Sequence, residues 1–79
     1  MSNLNKYNQA FADVFGVSKD TLNDNFSKDT ESSWDSVHQL GVVTALEDAF
    51  DIMMDPEDIM ALVSYKAGKE LLKKYDIEL

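Results

Sequence analysis

The feature that most constrains this chain is a recurring spacing of three and four residues between its apolar side chains. The first stripe with this spacing consists of Tyr7, Ala10, Phe11, Val14 and Phe15. Apolar residues spaced in this way cover one face of an α-helix. Gly16 follows, at the place where a left-handed residue commonly ends a helix. We therefore predict a first helix from about Asn5 to Phe15.

A second stripe with the same spacing follows Asp35, which is a typical N-cap residue. Its expected core face consists of Val42, Val43, Leu46, Ala49 and Phe50. The opposite face mixes apolar, small and acidic side chains, namely Val37, Leu40, Gly41, Thr44, Glu47 and Asp48. We predict a second helix from Ser36 to Phe50 with one buried face and one exposed, mixed face.

Two shorter helices are predicted in the last third of the chain. Asp55 followed by Pro56 is typical of an N-cap and a first-turn proline, and the helix should run to about Leu62. Ser64 is the expected N-cap of a fourth helix. That helix carries Tyr65, Gly68, Leu71, Leu72 and Tyr75. Because glycine inside a helix costs about 1 kcal/mol relative to alanine, we expect close packing at Gly68.

The stretch between the first two helices is polar and shows no sustained period. Its isolated apolar residues, Leu22, Phe26 and Trp34, are expected to anchor it to the core. A chain of 79 residues has room for one domain, here residues 1–79. The predicted fold class is therefore all-α: a small four-helix bundle with a long loop between helices one and two and a short third helix.

The charge of the chain is strongly acidic and unevenly distributed. Fifteen Asp and Glu face seven Lys and no Arg, which gives a net charge of -8. Residues 13–58 contain twelve of the acids and two lysines. We therefore expect no nucleic-acid partner and an attraction to basic surfaces, although net charge also serves solubility alone. No apolar run suits a membrane span or a secretory signal, so we expect a cytoplasmic protein without membrane insertion.

The motifs of common enzyme and metal sites are missing. The chain has no cysteine, and His38 is its single histidine, which excludes a cysteine nucleophile and a zinc site built on Cys or paired His. Its three glycines are too far apart for a phosphate-binding loop. The acidic run at residues 51–58 has Met53 and Pro56 where a calcium loop needs an oxygen ligand and glycine. We predict that the chain is not an enzyme and holds no metal.

One motif remains, the sequence Trp-Asp-Ser-Val at residues 34–37 with the helix that follows it. In this motif, in length and in helix order, the chain resembles the acyl carrier protein family. In that family an Asp-Ser-Leu turn opens a helix ending in residues like Ala-Leu-Glu-Glu-Glu-Phe, and residues 45–50 here are Ala-Leu-Glu-Asp-Ala-Phe. Residues 64–69 are similar to the start of the family's last helix. The resemblance implies a bundle of acyl-carrier type.

The resemblance further implies that Ser36 carries 4'-phosphopantetheine, attached by a phosphopantetheinyl transferase that uses coenzyme A and magnesium. Asp35 would cap the helix beside this site and lie close to the transferase's metal. The arm would supply the thiol that the chain lacks and hold acyl groups as thioesters for enzymes of fatty-acid, polyketide or related biosynthesis. A serine at a helix N-terminus suits this role, because its hydroxyl is accessible and unpaired backbone N–H groups favour a phosphate.

The resemblance also implies a partner-binding face on the second helix. This face comprises Val37, Leu40, Glu47 and Asp48. It would dock on basic patches of acyl-transferring and acyl-modifying enzymes, and the protein would be a monomer. The interior could open to shelter an acyl chain or stay an ordinary closed core. Its lining would be Phe11, Val42, Leu46, Phe50, Ile59, Leu62 and Leu71. The alternative function is an unmodified acidic helical adaptor that binds a basic protein.

Three positions depart from the family pattern. Trp34 lies two residues before Ser36, where the family usually has glycine. His38 and Gly41 occupy positions where fatty-acid carriers commonly have acids. These two residues remove negative charge from the docking face, and we expect the carrier to serve a dedicated pathway in preference to bulk fatty-acid synthesis.

Overall fold

A computed structural model describes residues 2–79 as a small all-helical bundle. Its α-helices are α1 (Asn3–Phe15), α2 (Ser36–Phe50), α3 (Pro56–Ala61) and α4 (Tyr65–Lys73). The predicted all-α fold and four-helix order are confirmed for this part of the chain. The loop between α1 and α2 is long, as predicted, and contains a short 3-10 turn at Lys19–Thr21.

The helix ends follow local capping signals. Gly16 ends α1 in the left-handed region with a φ of 64°, as predicted. The α1 helix begins two residues earlier than expected because the Ser2 hydroxyl accepts a hydrogen bond from the Asn5 backbone N–H. The Ser64 hydroxyl likewise caps α4, accepting from the Ala67 N–H at 2.9 Å. The prediction that α4 reaches Tyr75 is wrong, since the helix ends at Lys73.

Aromatic side chains fill the centre of the bundle and anchor the long loop. The rings of α1, the loop and α4 form what we call the aromatic cluster: Tyr7, Phe11, Phe15, Phe26, Trp34 and Tyr65. In the loop, Phe26 and Trp34 are buried and Leu22 is half-buried, so the predicted anchoring is confirmed. The Phe26 carbonyl also accepts a hydrogen bond from the Tyr65 N–H at 2.9 Å.

Gly68 lets α4 approach α1 closely. A Cβ at this position would overlap the Tyr7 hydroxyl and lie 3.0 Å from a methyl carbon of Leu62, which confirms the expected close packing. The Tyr7 hydroxyl donates to the Tyr65 carbonyl oxygen. Burial, reinforced by Tyr65, raises the pKa of Tyr7 above its ordinary value, so this hydroxyl stays protonated.

The short α3 is held at its start by a buried carboxylate. Asp58 is only 3% exposed and accepts hydrogen bonds from Lys74 Nζ and Tyr75 Oη, each at 2.6 Å. Tyr75 Oη in turn accepts from the Asp55 backbone N–H at 3.0 Å. We call Asp58, Lys74 and Tyr75 the Asp58 cluster. The bond from Lys74, followed by that from Tyr75, lowers the pKa of Asp58, so the carboxylate is ionised at neutral pH.

Candidate functional site

Ser36 is the first residue of α2 and is exposed to solvent. The side chain of the preceding Asp35 caps the helix by accepting the His38 backbone N–H at 2.9 Å. A helix N-terminus presents backbone N–H groups and the positive end of the helix dipole, both of which favour an anion. The Ser36 hydroxyl is therefore accessible at a place where an attached phosphate would be stabilised.

Asp35 keeps its charge beside Ser36. Its Oδ1 atom accepts the backbone N–H of His38 and lies 2.7 Å from His38 Nδ1. These bonds, the backbone one first, lower the pKa of Asp35 below its ordinary value. The His38 ring stacks on Phe15 of α1, with centroids 5.4 Å apart and planes at 15°. The first turn of α2 is thus fixed against α1, and a carboxylate stays ionised beside the serine.

The predicted docking residues do not all have the same surroundings. Val37 and Leu40 are 74% and 60% exposed, and Asp48 is also exposed. Glu47 is half-buried, and its Oε2 atom accepts the Met54 backbone N–H at 2.9 Å. Glu47 therefore also stabilises the turn between α2 and α3, a role that its sequence pattern did not reveal. Docking through these residues stays a prediction.

His38 and Gly41 both contact α1. A Cβ on Gly41 would be 3.2 Å from a methyl carbon of Val14, and His38 stacks on Phe15. Both positions lie at the edge where α2 packs on α1 and are half-buried, so they offer less free surface than Val37 and Leu40 do. The preference for a dedicated pathway stays a prediction.

Gln39 is a site residue that the sequence reasoning missed. Its Nε2 atom donates to the carbonyl oxygens of Ile59 and Leu62, at 2.7 and 2.8 Å. Its Oε1 atom accepts the indole N–H of Trp34. We call these three hydrogen bonds the Gln39 bridge. A polar residue one turn into a helix gives no sign of such contacts. The one available signal was Trp34, because a buried indole N–H usually has a hydrogen-bond acceptor.

The surface also has exposed apolar side chains and grooves away from Ser36. Met60 of α3 is 80% exposed, and Val63 after it is 45% exposed. A groove of about 890 Å³ lies between the start of α1 and the end of the chain, and one of about 370 Å³ lies between α1 and α2. Neither groove is lined by Ser36 or Gln39.

Comparisons of the chain with family models, curated proteins and solved structures give no match. Within residues 2–79, the helices are too short or too polar to cross a membrane.

Proposed function

We propose that this chain is an acyl carrier protein that carries 4'-phosphopantetheine on Ser36. It would present thioester-bound acyl groups to partner enzymes of fatty-acid, polyketide or related biosynthesis. The observation that carries this proposal is an exposed serine at the first position of α2, directly after an ionised, capping Asp35. The small helical bundle and the net charge of -8 support the same function.

The residues around Ser36 fit the attachment of such a group. The exposed Ser36 Oγ would attack the pantetheine-bearing phosphorus of the coenzyme A pyrophosphate and form a phosphodiester there. The bond from that phosphorus to the bridging oxygen breaks, adenosine 3',5'-bisphosphate leaves, and the serine proton passes to the transferase. Asp35 holds the first turn of α2 in place and offers a negative charge to the transferase's magnesium. The N-terminus of α2 favours the resulting phosphodiester anion. Once attached, the group supplies a thiol on a long arm, which raises the effective concentration of cargo at partner active sites.

The exposed face of α2 fits docking to basic enzymes. Val37 and Leu40 would form the apolar centre of the contact, since both are largely exposed one turn apart. Asp48, with the remaining oxygen of Glu47, would supply negative charge at the rim, where charges mainly speed association. A carrier that visits several enzymes in this way is expected to be a cytoplasmic monomer.

The proposal is tested by intact mass after incubation with coenzyme A, magnesium and a broad-specificity phosphopantetheinyl transferase. The unsubstituted protein should gain the mass of one phosphopantetheine group. Ser36→Ala should stay folded and gain none. Ser33→Ala is the matched control, because Ser33 lies in the same stretch but its hydroxyl donates to Glu31 Oε1 at 3.0 Å; it should be modified normally.

Two results would contradict the proposal. Modification of Ser36→Ala would show that another residue carries the arm. An unmodified wild-type protein, in a reaction that modifies a known carrier, would favour the unmodified acidic adaptor, to which the exposed Leu40 and Asp48 are also suited.

A further inference from the structure

The first turn of α2 adjoins two paths from Ser36 into the bundle. On the α1 side, His38 stacks on Phe15, and Phe15 contacts Trp34 with ring centroids 5.0 Å apart. On the α3 side, the Gln39 bridge joins α2 to α3 one turn from Ser36. Rings close the first path, so a chain attached at Ser36 would most directly reach the core through the seam between α2 and α3.

The Gln39 bridge ties this seam to three segments of the chain. It connects α2 with the end of α3 through two carbonyl oxygens and with the loop through Trp34, which is itself only 4% exposed. Separating α2 from α3 would leave an amide, an indole N–H and two carbonyls without their partners. At a partly buried place, water cannot fully replace a lost hydrogen-bond partner. Separating the two helices there therefore costs more free energy than breaking the same bonds at the open surface.

The core behind the bridge is already filled. Leu46 of α2 and Leu62 after α3 have no exposed surface, and Val43 is 4% exposed. Protein interiors are close-packed, so an alkyl chain can enter only if α2 and α3 move apart and such side chains shift, which the bridge opposes. Neither surface groove extends to the bridge.

From this arrangement we infer that the Gln39 bridge keeps the cargo of this carrier outside the helical bundle, even when the cargo is a long alkyl chain. Gln39 is then the residue that decides whether acyl groups are sequestered. The inference rests on the proposed attachment of cargo through Ser36. It implies that partner enzymes meet an exposed thioester and need not extract the chain from the carrier.

The experiment places alkyl chains at Ser36 without any transferase. Because the natural chain has no cysteine, Ser36→Cys creates a unique thiol, which is alkylated with butyl or dodecyl iodoacetamide. With Gln39 present, the Tm of the dodecyl form should stay within about 2 °C of the butyl form. With Gln39→Ala added, the dodecyl chain should enter and raise Tm by at least about 5 °C relative to butyl, since each buried methylene is stabilising.

A direct readout separates exclusion of the chain from a merely structural role of Gln39. NMR contacts between dodecyl methylenes and the Leu46 methyl groups should be absent with Gln39 and present with Gln39→Ala. Gln9→Ala is the matched control, because the Gln9 amide bonds Asp13 on α1 at 2.7 Å, away from the seam; it should behave like the unsubstituted chain. If Gln39→Ala does not fold, Gln39→Met takes its place, because methionine keeps the length of the side chain but makes none of the three hydrogen bonds of the bridge.

Entry of the dodecyl chain with Gln39 intact would overturn the inference. So would a bridge-deficient variant that folds and still excludes the chain. These outcomes are independent of the proposed function, which fails instead if coenzyme A and the transferase leave Ser36 unmodified.

Discussion

The two sides of the bundle are held together in different ways. Where α1 meets α4, the rings of Tyr7, Phe11 and Tyr65 lie with centroids 4.9 to 5.5 Å apart, and Gly68 brings the α4 backbone against them. The six-residue α3 depends more on polar bonds, from the Asp58 cluster at its start and the Gln39 bridge at its end.

This difference follows from the length of α3. A helix of this size is not stable alone, and it contributes a single half-buried isoleucine, Ile59, to the core. Directional hydrogen bonds therefore fix its position. Apolar packing responds to changes in shape, whereas hydrogen-bonded charges respond to pH and salt. The two sides should thus fail under different perturbations.

The largest effect is expected from Gly68→Ala, which disturbs the packing where α1 meets α4. The new methyl group would overlap the buried Tyr7 hydroxyl. Overpacking should outweigh the gain in helix propensity and give a net loss of about 1–2 kcal/mol in the free energy of unfolding. Thermal unfolding should show a Tm lower by roughly 5–15 °C.

A double variant and a control sharpen this prediction. Tyr7→Phe removes the overlapped hydroxyl. The double variant Tyr7→Phe, Gly68→Ala should therefore lose less unfolding free energy than the sum of the losses of the two single variants. Gly41→Ala is the matched glycine control, because its Cβ meets only the two Val14 methyl groups, at 3.2 and 3.7 Å, and it should be close to neutral. If the losses of the two single variants are additive, the overlap with the Tyr7 hydroxyl is not what destabilises Gly68→Ala.

An intermediate effect is expected at α3 from Asp58→Asn, and it should depend on pH. The folded state lowers the pKa of Asp58 through its bonds from Lys74 and Tyr75. The stabilisation by this carboxylate is therefore present above its unfolded pKa of about 4 and is lost as pH falls through the lower, folded value. Asp58→Asn should lower Tm at pH 7, and the gap to the wild type should narrow towards pH 3.

Glu57→Gln provides the comparison on the same helix. Glu57 is exposed in the first turn of α3 and does not belong to the Asp58 cluster. Removing the Glu57 charge should change Tm little at neutral pH. A gap between Asp58→Asn and the wild type that stays constant from pH 7 to pH 3 would mean that the ionised carboxylate is not what holds α3.

The sequence predicted the parts of the fold that depend on local signals. The bounds of α2 follow from Asp35 and the apolar spacing, and both agree with the structure. The exposed position of Ser36 follows from the same cap. Helical spacing also separated the exposed Val37 and Leu40 from the buried face.

The polar contacts of α3 could not be predicted in the same way. Asp58 bonds residues 16 and 17 positions away, and Gln39 bonds residues 20 and 23 positions away. Apolar spacing does not indicate which polar side chain is covered by another element. For the same reason, the sequence did not indicate that Val14 of α1 lies against Gly41.

The smallest effect is expected from salt, and it tests whether charge matters beyond the Asp58 cluster. Residues 13–58 hold twelve acids and two lysines, and ions screen the repulsion among exposed charges. Sodium chloride or magnesium chloride should therefore raise the wild-type Tm by a few degrees. Asp58→Asn should gain somewhat more, because it has no Asp58–Lys74 attraction to lose. A Tm independent of ionic strength in both proteins would show that the acids are too dispersed to repel one another. The pH response of the fold would then rest on Asp58 in α3 and on Asp35 at the start of α2, the two carboxyls whose pKa the folded state lowers.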